Sequence, residues 1–104
     1  MNKNLPTRTV TVRNLQGLHA RPADLLVRMA SAYQSIILIG RDGELVDCKS
    51  ILSLLTLGAA QGTVLTISAD GSDAKDALDA IADLFEAGFD DTNEVPGTES
   101  ALDG

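Results

Sequence analysis

His19 is the only histidine in the chain. It stands in Gly17-Leu18-His19-Ala20-Arg21-Pro22, where a helix is expected to begin. A helix N-terminus presents backbone N–H groups with no acceptor inside the helix, together with the positive end of the peptide dipole. Such an end is a ready site for an anion. Gly17 lets the backbone approach closely or take a strained turn, and Arg21 adds a fixed positive charge two residues beyond the histidine. A phosphoryl group on His19 could accept charge-assisted hydrogen bonds from the amides near Ala20 and Arg21 and from the guanidinium. The plain alternative is a surface or helix-capping histidine with no chemistry. Nothing else in the sequence suggests a catalytic triad or a pair of acid–base carboxylates.

A second segment, Cys48-Lys49-Ser50-Ile51-Leu52, offers a serine at the expected start of a short helix. Its hydroxyl suits an N-cap. A phosphoserine is also comfortable there, because its charge of roughly −1.5 to −2 meets the dipole. Ile51, Leu52, Leu54, Leu55 and Leu57 crowd about two turns of helix, so they cannot all face a core. A small exposed apolar patch at Ile51, Leu52 and Leu55 is expected, fit for a partner surface. Ordinary core packing is the competing reading. One Cys and one His cannot complete a zinc site from a single chain, and no metal or cofactor is expected.

These residues need a scaffold, and the pattern supplies one. Arg8 to Arg13 is rich in β-branched residues and reads as a strand. A helix follows the turn-like segment Asn14 to Leu18. Its apolar positions Pro22, Leu26, Met29 and Tyr33 step by helical spacing, with Arg21, Asp24, Arg28 and Ser31 opposite. Pro22 fits only the first turn. Ser35 to Ile39 and Glu44 to Asp47 form a hairpin about Gly40-Arg41-Asp42-Gly43. The short helix from Ser50 ends at Gly58. Thr63 to Ala69 is the fourth strand. Ser72 is the expected cap of a last helix to about Ala87, with Ala74, Ala77, Leu78, Ile81 and Phe85 as its apolar stripe. The order β-α-β-β-α-β-α predicts a two-layer α+β sandwich, a sheet with helices on one face.

The chain has 104 residues, enough for one domain with a real core. Aromatics make up only 3%, so that core is aliphatic. Cys48 can form no internal disulfide and reads as a small buried residue, which fits a reducing compartment. The net charge of −7 argues against nucleic acid or anionic lipid as partners. No apolar run approaches the roughly 20 residues of a membrane span, so the protein is expected to be soluble and cytoplasmic, without membrane insertion. Residues 1–87 are expected to form the domain. Residues 88–104, with five acids and no Lys or Arg, read as a disordered acidic tail.

At these motifs the sequence resembles the histidine-containing phosphocarrier (HPr) family of the bacterial phosphoenolpyruvate:sugar phosphotransferase system. Gly17 to Ala23 is similar to its active-site signature, Lys49-Ser50-Ile51 to its regulatory serine segment. Thr56-Leu57-Gly58, Gln61-Gly62-Thr63 and Ile67 to Gly71 resemble its later half. The likeness runs from about Val10 to Phe85. It implies an open-faced sandwich with a four-stranded antiparallel sheet, and a phosphocarrier rather than an enzyme. It implies that enzyme I phosphorylates His19 on Nδ1 and that an enzyme IIA domain accepts the group. Arg21 and the amides at the helix start would hold the phosphoryl, and Ala20, Ile51, Leu52 and Leu55 would form the partner surface. Ser50 would be a target of an HPr kinase/phosphorylase, and the protein a monomer. A regulatory paralogue, including a nitrogen-type branch, fits the same motifs. A pure docking module without phosphoryl chemistry fits them less well. Asp24 departs from the family, which usually offers small or uncharged residues at that place. Gln16 and the length of the acidic tail also depart from it.

Overall fold

A computed structural model describes residues 5–90. Among these, β1 (Thr7–Thr11), β2 (Ile36–Arg41), β3 (Glu44–Asp47) and β4 (Val64–Asp70) form one antiparallel sheet in the order β1-β4-β2-β3. The helices α1 (Ala20–Ser31), α2 (Ile51–Leu57) and α3 (Ala74–Glu86) complete the open-faced α+β sandwich. The register places Val10 opposite Leu65, and Ile39 opposite Ile67 on one side and Val46 on the other. Alternation then points Val10, Ile37, Ile39, Leu65 and Ile67 into the core. Ile36 and Val64 fall on the opposite parity and stay exposed.

The aliphatic core closes against Leu26, Ala30, Leu54, Leu78, Ile81 and Phe85 from the helices. Full burial of side chains such as Leu26 or Ile81 stabilises by about 1.5–3 kcal/mol each. On α1 the buried stripe is Pro22, Ala23, Leu26 and Ala30, while Met29 and Tyr33 are only partly buried. The β2–β3 hairpin turns on Asp42 and Gly43, both at positive φ, so β2 runs two residues further than the pattern suggested.

Two expectations change. The N-cap position of α3 is held by Asp73, not Ser72, and its carboxylate makes no cap bond. It instead accepts from Gln34 N–H at 2.8 Å, Ser35 N–H at 3.0 Å and the Ser35 hydroxyl at 2.6 Å. These donors, the hydroxyl first, hold the Asp73 carboxyl below the ordinary carboxylate range. Their contribution is present at neutral pH and is lost as pH falls through that lowered value. The second change is at the C-terminal side. Gly88–Asp90 adds a 3-10 turn in which Phe89 is buried edge-on against Phe85, ring centroids 4.9 Å apart. The packed body therefore includes Phe89, two residues past the expected boundary. The rest of the expected acidic tail, 91–104, lies outside the described residues. Cys48 is buried as expected, and desolvation pushes its thiol up to about 12.

Candidate functional site

The site is built on the loop between β1 and α1. Asn14, itself buried, donates from Nδ2 to the Gly17 carbonyl at 2.6 Å, and the Gly17 N–H returns to the Asn14 carbonyl at 3.1 Å. Leu18 is buried and its N–H donates to the Ala59 carbonyl at 2.9 Å. Gly17 adopts φ +72°, and a side chain there would collide with that same carbonyl. Two anchors, one polar and one apolar, thus hold the residue just before His19.

His19 occupies the N-cap position of α1 with extended backbone. Its carbonyl accepts the first helical hydrogen bond, from Ala23 N–H at 3.0 Å. Pro22 is the third helical residue and has no N–H to offer. The amides of Ala20 and Arg21 are therefore the two first-turn donors left without an acceptor in the helix. No acidic residue lies in that turn to offset the dipole. The His19 side chain makes no capping bond and is partly exposed. Ala20 and Arg21 are exposed.

His19 opens into a shallow depression lined by Gln16, Leu18, Ala20, Leu55, Gly58, Ala59 and Ala60. Of the residues singled out in the sequence, this depression brings His19, Ala20 and Leu55 together. Arg21, Ser50, Ile51 and Leu52 lie outside its lining. Gly58, at φ +55°, ends α2 in a left-handed cap and leads straight into the Ala59 carbonyl that anchors the histidine loop. Ser50 caps α2, its Oγ accepting from Ser53 N–H at 3.3 Å. Ile51, Leu52 and Leu55 are exposed at 38%, 73% and 40%, so the expected apolar surface on α2 is present. Leu54 alone of that helix is buried. Leu15, exposed at 82%, adds a further apolar side chain on the histidine loop.

Asn14 and Ala59 were not legible as site residues. Asn14 sits in a turn-like segment where a polar side chain is usually solvated, and Ala59 contributes only its carbonyl. The Asn-x-x-Gly spacing was the one available signal for the first. Among the described residues no group of His, Cys, Asp and Glu is arranged to hold a metal ion, and no helix is long and apolar enough to cross a membrane.

A family model described as the PTS HPr component phosphorylation site matches residues 6–87. Phosphocarrier protein NPr of Proteus mirabilis (strain HI4320) is 39% identical over 85 residues, which cover 81% of this chain and 94% of that protein. HPr-C-His from Thermoanaerobacter tengcongensis has a similar crystal structure, with a TM-score of 0.80 at 41% identity over 83% of this chain and 97% of that one. Phosphocarrier protein HPr from Bacillus anthracis str. Ames gives a TM-score of 0.75 at 37% identity, over 80% and 99% of the two chains.

Proposed function

Because this chain belongs to the HPr family of phosphotransferase-system phosphocarriers, we propose that His19 is the residue that carries its phosphoryl group. Members of this family are carriers, not enzymes. The observation that carries the residue assignment is the position of His19: a partly exposed imidazole at the N-cap of α1, beside the two acceptor-free amides of Ala20 and Arg21. Enzyme I is the donor. A ring nitrogen, Nδ1, forms the N–P bond as the donor's bond to phosphorus breaks. The group then leaves to an enzyme IIA domain by the same in-line exchange. The Ala20 and Arg21 amides and the Arg21 guanidinium stabilise the charge as it moves. Ala20, Leu55, Ile51 and Leu52 are the contact surface for both partners. Ser50 is a site where an HPr kinase/phosphorylase would add a second, regulatory phosphate. The carrier works as a cytoplasmic monomer.

The relative named NPr favours a second reading, in which the chain serves a regulatory, nitrogen-type branch rather than sugar uptake. Both readings share His19 and are separated by the acceptor. The test is incubation with enzyme I and labelled phosphoenolpyruvate, followed by addition of a sugar-permease IIA or a nitrogen-branch IIA. Acid-labile label on the wild-type chain and none on His19→Ala is expected. Label that persists on the variant would overturn the assignment.

A further inference from the structure

Asp24 and Arg28 form an ion pair on α1, with Arg28 Nε 2.9 Å from Asp24 Oδ2. Both side chains are well exposed, at 47% and 74%, and an exposed pair four residues apart adds little to stability. Its place on the molecule matters more. Ala20 lines the depression that holds His19. Ala20, Asp24 and Arg28 then follow one another at four-residue spacing, as neighbours on the helix surface. Measured along the helix axis, Asp24 lies about 8 Å and Arg28 about 14 Å beyond His19.

A partner that exchanges a phosphoryl group with His19 must reach the imidazole itself. An interface of about 600–800 Å² per partner centred there has a radius of about 14–16 Å. The pair therefore lies inside or on the rim of a contact centred on His19. Asp24 is the only acid on α1. The phosphoryl group being exchanged is itself an anion, with a charge comparable to the roughly −1.5 to −2 of a phosphorylated side chain. A bare carboxylate within about 10 Å, one Debye length at 0.1 M salt, opposes its arrival.

We propose that Arg28 shields this docking ridge: its guanidinium masks Asp24 and so sets the rate at which phosphorylated, anionic partners engage His19. The proposal rests on the phosphocarrier reading above. Arg28 acts through Asp24 and is a positioning residue, remote from the transferring atoms. Its selectivity is for charge, because a neutral ridge admits a phosphorylated donor that an acidic ridge would repel.

The test is a double-mutant cycle on the full chain, with initial rates of label transfer from phosphorylated enzyme I. Rates are measured at about 0.05 M and about 0.5 M salt, where the screening length falls to a few ångströms. Arg28→Ala is expected to slow transfer roughly three- to tenfold at low salt, chiefly through KM, with the gap closing at high salt. Asp24→Ala alone is expected to match or exceed wild type. The double variant is expected to return to within about twofold of wild type, since it leaves no charge to mask. Thermal melting of all three is expected to stay near wild type. Arg28→Ala at the wild-type rate would overturn the proposal. So would a double variant as slow as Arg28→Ala, which would show that Arg28 touches the partner directly. A wild-type chain that takes no label would instead overturn the carrier reading, and the shielding with it.

Discussion

Gly17 and Ala59 lie backbone against backbone. Leu18 N–H donates to the Ala59 carbonyl at 2.9 Å, and a Cβ on Gly17 would run into that same oxygen. The loop that carries His19 is thus fastened to the segment that follows α2, which ties the two halves of the site together.

Gly17→Ala is accordingly expected to destabilise the fold by about 1–3 kcal/mol, from the positive φ and the collision together. It should also slow phosphorylation of His19 by displacing the imidazole from the first-turn amides. Denaturant melts and transfer rates on the same preparation check both effects. Wild-type stability in this variant would show that the 14–18 loop yields without cost.

Arg21→Glu is expected to leave the melt nearly unchanged, because Arg21 is exposed, while slowing transfer by a factor of ten or more. The substitution sets a carboxylate where the phosphoryl group is to be held by two amides and one cation. Transfer at the wild-type rate would reduce Arg21 to a solvated surface charge.

Ser50 separates capping from regulation. Ser50→Ala loses a 3.3 Å cap bond and should cost about 1 kcal/mol at most. Transfer should persist in that variant. Ser50→Asp keeps an acceptor at the cap but adds charge beside Ile51, Leu52 and Leu55, which must be desolvated when a partner docks. Near-normal stability with weaker enzyme I binding is expected, by calorimetry at low salt. Equal binding by Ser50→Asp and wild type would leave Ser50 as a helix cap alone.

Phe89 is the last residue of the core among the described residues. Phe89→Ala should cost about 3–5 kcal/mol, since it empties a fully buried ring position against Phe85. A chain ending after Ala87 should lose a similar amount, whereas one ending after Asp90 should melt close to the full chain. Equal melts for the two truncations would mean that the ring contributes no net stability.

Much of this was legible in the residues themselves. Local chemistry dictates its own geometry: Ser50 and Gly58 bracket α2, Pro22 can occupy only the first turn of α1, and β-branched runs become strands. The apolar stripe of α3, with 3.6-residue spacing, could face only one way. His19 was conspicuous because a single nucleophile beside a glycine, an arginine and a helix start is a local arrangement of charge and amides.

What the tertiary structure decided are the contacts between residues far apart in the chain. Asp73 abandons its own helix end because Gln34 and Ser35, nearly forty positions earlier, offer it three donors. Phe89 is core because Phe85 and the end of α3 receive it, although its neighbours read as a polar tail. The Ala59 carbonyl anchors Leu18 across some forty residues of chain. Periodicity and capping rules act within a few residues. The pairing of surfaces that meet only after the chain has folded leaves no trace at that range, so the sequence located the histidine while the fold determined what holds it in place.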